Sequence, residues 1–346
     1  MRLPRPGDPH AGEGRPALGS AAASAGPLRA KPGNAPPRVI AGHLQTVRRG
    51  EGVGAGMLIL GTAQFGMEYG VANRTGRPDL TRTKEILDHA FAHGLRYLDT
   101  AMNYDRSEAM LGHCGVDGWN IITKLPSLSG LPEKSIEDAA RGYILRSLDR
   151  LRTTSLHAVL AHDHRDLRGS RGQRVIAALQ TMRHHGLVDR IGVSVYGPED
   201  IDGLDPAATG IVQAPLNVLD QRILRTGLAD RLHRQGSELH VRSVFLQGLL
   251  LMPARHRPAR FKRWSAEMAR VTAYACKTGL DPLAFCLGFV TQQKHVAHCV
   301  VGVEQREQLV QILDAYEAGS QTPVDADELH AHDPHLIDPR LWTAGA

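Results

Sequence analysis

The chain has 346 residues, 42% of them hydrophobic and 22% charged, which sets it among globular proteins and apart from low-complexity or fibrous chains. Its net charge of +5 does not mark a nucleic-acid-binding face: eight of the 41 Lys and Arg and three of the 36 acids fall in residues 1–56, so residues 57–346 hold 33 of each. No run approaches the roughly 18 apolar residues of a membrane span, and four scattered cysteines (Cys114, Cys276, Cys286, Cys299) without a C-x-x-C pair read as reduced thiols of a cytoplasmic protein.

Residues 1–56 are rich in Pro, Gly, Ala and Arg and carry no sustained periodicity, so they are expected to form a disordered leader. They lack the apolar stretch of a secretory signal. Their basic, acid-poor composition loosely fits an organelle transit peptide. Met57, directly before the apolar "LILGTAQFG", reads more simply as the natural start of the domain.

From Met57 on, short apolar runs alternate with longer helical segments. Strands are predicted at 58–61, 95–99, 120–124, 157–162, 190–194, 209–213, 239–243 and 298–302. Helices are predicted at 82–93, 106–113, 133–151, 170–185, 198–204, 220–235, 264–278, 281–293 and 304–317. "TRTKEILDHAFAHG" stops on Gly94, as helices do at a C′ glycine. "SIEDAARGYILRSLDRL" carries acids in its first turn and bases in its last, as the helix dipole favours. Eight strand–helix units predict a single α/β domain over 57–318, a (β/α)8 TIM barrel, with 319–346 as a C-terminal tail. A doubly wound sheet is the alternative, but "GTAQFG" does not supply the G-x-G-x-x-G that such a sheet places after its first strand.

Most of the strands end on a polar group. Asp99, Lys124, His162, Ser194, Gln213 and Arg242 with Ser243 close strands two to seven. In a barrel those ends converge on one face. Tyr104 follows five residues after Asp99. A free phenol titrates near pH 10 and is a poor acid at neutral pH, and a lysine ammonium beside it is expected to lower that value. Asp99 supplies the counter-charge that a desolvated lysine needs. A histidine on the next strand can donate to a substrate oxygen. Asp99, Tyr104, Lys124 and His162 thus compose a phenol facing a carbonyl, suited to proton transfer coupled to hydride delivery. No side chain stores a hydride, so a nicotinamide cofactor is implied.

"LDTAMNYDRSEAMLG" resembles the signature of the aldo–keto reductases. "GTAQFG" before it and "ITKLP", "VLAH", "IGVSVY", "VQAPLNVLD", "LDPLAFCLGFV" and "VVGVEQREQL" after it occur in the family's order, so the resemblance covers about 57–315. It implies a barrel that binds NADP, with NAD as the alternative, and reduces a small aldehyde, ketone or sugar carbonyl or runs the reverse oxidation. Carried over, Tyr104 is the general acid, Lys124 and Asp99 are its partners, and His162 orients the carbonyl. Ser194 and Gln213 hold the carboxamide, Gly61, Thr62 and Ser243 line the nucleotide, and Gly302 and Gln308 lie near its adenosine end. Departures are Asp105 for the usual glycine, Val195 for an asparagine, and Arg242 for the aromatic that stacks on the nicotinamide. No basic residue for a 2′-phosphate stands at Gly302; Glu304 is near and Arg306 is the closest cation. The resemblance implies a small-molecule substrate, with no nucleic acid or membrane partner, in a monomer or weak homo-oligomer. A second reading is a cofactor-binding regulatory subunit with little turnover.

Blander readings stand beside these. Tyr104 and Lys124 can be solvated residues at a turn and a strand end. "HDH" at 162–164 lacks a third ligand at suitable spacing, and "HAHDPH" at 330–335 reads as solvated tail, so no metal site is expected.

Overall fold

A computed structural model describes residues 57–342; the leader expected to be disordered lies outside the described residues. Eight parallel strands close into one barrel in sequence order. They are β1 (Leu58–Gly61), β2 (Tyr97–Asp99), β3 (Asn120–Leu125), β4 (Leu156–Ala161), β5 (Val188–Ser194), β6 (Ile211–Pro215), β7 (Glu238–Arg242) and β8 (Val296–Gly302). β1 and β8 seal the cylinder, with Leu60 opposite Val301 and Gly61 opposite Gly302. The architecture is therefore the (β/α)8 barrel that the alternation predicts.

The helices are α1 (Ala63–Gly66), α2 (Leu80–Ala92), α3 (Ser107–Cys114), α4 (Ile136–Leu151), α5 (Gly169–His184), α6 (Arg222–Arg225), α7 (Leu228–Arg234), α8 (Ser265–Thr278), α9 (Pro282–Thr291), α10 (Arg306–Gln321) and α11 (Pro334–Ile337). Local chemistry sets their ends. The Asp79 and Asp281 side chains accept from the backbone N–H groups of Arg82 and Ala284 and cap α2 and α9. The single helix expected over 220–235 is broken at Gly227, whose φ of +69° no helix interior tolerates. The segment expected to be helical over 198–204 is a short 3-10 turn, Pro198–Ile201.

One interior layer matters for the site. Ile59, Ile122, Ala158, Leu160 and Ile211 pack together inside the cylinder, with Tyr97 and Val300 against them. Burying each large aliphatic chain contributes about 1.5–3 kcal/mol. This plug turns the barrel into a solid platform, so polar side chains can gather only at its two mouths.

The C-terminal segment is not a free tail. Leu329, Leu336 and Ile337 are buried, and Ala331 N–H donates to the Leu219 carbonyl. The Trp264 indole donates to Asp333 at 2.8 Å, and the Trp342 ring meets Phe261 edge-on at 4.8 Å. The apolar positions interleaved with the histidines of this segment give it a face to bury, which a reading of its charge alone overlooks.

Candidate active site

The C-terminal strand ends open into a cavity of about 410 Å³. Strand register brings its floor together: Gly61 lies opposite Asp99, Asp99 opposite Ile122, and Lys124 opposite Leu160. Alternation points Asp99 and Lys124 inward, above the aliphatic plug.

Lys124 is fully buried and donates from Nζ to Asp99 Oδ2 at 2.6 Å and to the Thr100 carbonyl at 2.9 Å. The second oxygen of Asp99 accepts from Gln213 Nε2 at 2.6 Å. Burial pulls the Lys124 ammonium down from its ordinary range, and Asp99 opposes that pull. Lys124 Nζ lies 5.3 Å from the centre of the Tyr104 ring. The His162 ring meets Tyr104 edge-on, centroids 5.9 Å apart. The three residues named from the strand ends and Tyr104 thus share one mouth.

The Tyr104 phenol is pushed well above its ordinary value, by burial first and then by the Asp99 charge, with Arg242 acting against both. The sequence leads one to expect Lys124 to lower it. Lys124 is instead committed to Asp99, and burial with the Asp99 charge prevails at the phenol. The result is a tyrosine held protonated at neutral pH. His162 is pushed down to about 4, by burial and by the Lys124 and Arg242 charges, and is neutral. Its Nδ1 lies 3.1 Å from the Asn103 side-chain amide. The orientation of that amide decides which ring nitrogen carries the proton. Sequence reasoning passes over Asn103; its place one residue before Tyr104 is the only signal it gives.

A network beneath the phenol fixes the turn that carries it. Ser107 Oγ donates to the Thr62 carbonyl at 2.8 Å, and Thr62 Oγ1 donates to the Asp99 carbonyl at 3.0 Å. Glu108, buried, accepts from Thr123 at 2.8 Å and from Ser147 at 2.6 Å, tying α3 to β3 and α4. Asp105 has φ of +46°, in the left-handed region that glycine occupies most easily and aspartate tolerates. Its carboxylate turns out to Arg77 at 3.2 Å, away from the phenol.

Of the expected nucleotide residues, Gly61, Thr62, Arg242, Ser243, Gly302 and Gln308 line the cavity wall. Ser194 and Gln213 are buried at its floor, paired in register, rather than on the wall. Gln213 Oε1 is buried without a hydrogen-bond partner, an acceptor available to an amide N–H. Ser243, Leu246 and Gln247 all have positive φ, so the loop after β7 is held in a strained shape around the cavity. Arg242 donates to the Val195 carbonyl at 2.9 Å, and its guanidinium lies 4.3 Å from the centre of the Tyr196 ring. That ring also receives Arg340, at 3.7 Å. The "HDH" residues part company: His162 meets Asn103, whereas His164 pairs with Asp200 at 3.0 Å.

Known proteins share the barrel. D-arabinose 1-dehydrogenase of Saccharomyces cerevisiae is 27% identical over 147 residues, a stretch covering 40% of this chain and 42% of that protein. Glycerol dehydrogenase of Gluconobacter oxydans shares the fold with a TM-score of 0.60 at 22% identity, over 82% of this chain and 92% of that one. An aldo-keto reductase of Bacillus halodurans does so with a TM-score of 0.61 at 20% identity, over 79% and 89%. The sequence model of the aldo/keto reductase family matches residues 57–334, taking in the barrel, the cavity and most of the packed C-terminal segment. This chain belongs to the aldo/keto reductase family.

Proposed function

We propose that the chain reduces the carbonyl group of a small aldehyde, ketone or sugar with a nicotinamide nucleotide, and catalyses the reverse oxidation when driven. The observation that carries this reading is the buried Lys124–Asp99 pair lying against the face of a protonated Tyr104, with a neutral His162 beside it. A nicotinamide nucleotide held in this cavity would supply the hydride for the carbonyl carbon. Tyr104 gives its proton to the carbonyl oxygen as negative charge develops there, and solvent restores it. Neutral His162 presents a ring N–H to the same oxygen and sets the direction from which the carbonyl approaches. Lys124 and Asp99 pair at the floor of the site, so that neither is left as an unpaired buried charge.

Gln213 Oε1, Ser194, Ser243 and the Gly61–Thr62 turn are the groups available to hold the nucleotide. Glu304, on the cavity wall, accepts from Gln308 Nε2 at 3.2 Å and lies 3.4 Å from the Thr75 hydroxyl. A carboxylate there suits a ribose hydroxyl and repels a 2′-phosphate, which turns the family expectation of NADP toward NAD.

The test is Tyr104→Phe, with nucleotide titration followed by protein fluorescence and turnover measured on a panel of aldehydes and sugars. The expected result is unchanged nucleotide affinity with turnover reduced by roughly 10²–10⁴-fold. Wild-type protein that binds the nucleotide but turns over none of the panel points instead to the regulatory-subunit reading.

A further inference from the structure

The opposite mouth of the barrel carries chemistry that carbonyl reduction does not use. There β7 begins with Glu238, and His240 follows on the same inward face. His240 lies in direct register with His298 of β8. One donor atom from each of the three side chains falls within 4.8 Å of the others. We propose that Glu238, His240 and His298 form a binding site for a divalent transition metal ion of the Zn²⁺ type, at the end of the barrel opposite the catalytic cavity.

The donor set is the first argument. Two imidazoles and a carboxylate suit Zn²⁺ and its neighbours in the first transition series, and three protein ligands leave one position for water. The second is satisfaction of buried polar atoms. His240 is fully buried, yet its Nδ1 has no partner, and Nδ1 of His298 has none either. Buried ring nitrogens are normally hydrogen-bonded, and two orphans side by side on adjacent strands are ring nitrogens without an assigned use.

The surroundings resemble the outer shell of a metal site. Arg190 grips Glu238 through one oxygen and the Gly210 carbonyl at 3.0 Å, leaving the other oxygen of Glu238 facing His240 at 3.2 Å. Hydrogen-bonded outer partners of this kind orient a ligating carboxylate. The Tyr97 ring packs on His298 at 4.7 Å between centroids and restrains its rotation. His157 in turn meets Tyr97 edge-on at 5.3 Å. The aliphatic plug separates the cluster from Lys124 and Asp99.

The experiment uses the full chain carrying His330→Ala and His332→Ala, which removes an exposed histidine pair whose Nε2 atoms lie 3.0 Å apart. The protein is stripped with a chelator and titrated with Zn²⁺ by calorimetry and with Co²⁺ by visible absorption. The expected result is one high-affinity ion per chain with a Co²⁺ band of imidazole-bound, four-coordinate character. Replacing a ligand, as in His298→Ala, is expected to weaken binding beyond the roughly 10–100-fold that loss of an outer partner causes. Nucleotide affinity at the other mouth stays unchanged. No high-affinity ion in the stripped protein, or binding indifferent to both His240→Ala and His298→Ala, overturns the proposal. If those variants fail to fold, the Co²⁺ spectrum of the stripped parent decides alone, and absence of the band overturns it.

Discussion

Lys124 is the residue whose replacement says most about the site. Removing its charge in Lys124→Met leaves Asp99 buried beside a single amide donor, at a cost of about 3–5 kcal/mol. The expected outcome is a large fall in the thermal midpoint together with loss of turnover. Adding Asp99→Leu is expected to restore much of the midpoint and none of the activity. At neutral pH the ionisation states favour reduction, since the phenol is protonated and His162 neutral. Reduction rates are therefore expected to stay level from neutral into mildly alkaline solution. Alcohol oxidation, which needs the phenolate, is expected to rise over the same range; an oxidation rate that falls with pH contradicts the assignment of Tyr104. Stability follows His162 at the acid end. The unfolded chain takes up that proton near pH 6.5 and the folded chain only near 4, so stability is lost as pH drops through that window and is unaffected above it. Melting curves of wild type and His162→Gln between pH 4.5 and 7.5 check this: the variant is expected to lose less. Glu304→Arg is expected to move the ratio of NADPH to NADH affinity at least about tenfold toward NADPH, roughly 1.4 kcal/mol; an unchanged ratio removes Glu304 from cofactor choice. The tetrad was legible because each member ends or follows an apolar run. Asn103 was not, because it sits exposed in a turn and its partner His162 lies 59 residues away.

At the level of elements, the site depends on how closely α1 and α3 approach the Tyr104 turn. A Cβ on Gly66 would stand 1.8 Å from the Tyr104 carbonyl oxygen, and one on Gly112 would stand 2.1 Å from that of Arg150. Gly66→Ala must push the turn away, so it is expected to lower kcat and to cost about 1–3 kcal/mol in a denaturant melt. Glu108→Ala strips the partner from two buried hydroxyls and is expected to cost a similar amount, about 1–3 kcal/mol, with nucleotide affinity little changed. The strands themselves could be read from sequence to within two residues at each end. Barrel strands are covered on both faces, so they appear as unbroken apolar runs between turns. Helix ends were less legible. Gly227 breaks what the hydrophobic period alone joins, and the short strand β2 begins two residues later than expected because Leu95 and Arg96 serve the turn before it.

Across the whole molecule the main departure from the sequence reading is the C-terminal segment, where tertiary packing rather than local pattern decides. Its buried Leu329, Leu336 and Ile337 each contribute on the order of 1.5–3 kcal/mol, and Gln221 Nε2 donates to the Ala326 carbonyl at 2.7 Å. Ending the chain at residue 322 is expected to lower the melting temperature sharply and to expose apolar surface detectable by dye binding. Starting it at Met57 is expected to leave the melt and nucleotide affinity unchanged. Among the described residues no helix is long and apolar enough to cross a membrane. The stack of Arg340 and Arg242 on Tyr196 joins this last segment to the reactive end of the barrel. Any event that frays the final turns, whether a proteolytic nick or a bulky fusion tag, would thereby be transmitted through one aromatic ring to the cavity wall that Arg242 lines. Affinity tags placed at the two termini should for that reason give catalysts of different quality from the same polypeptide.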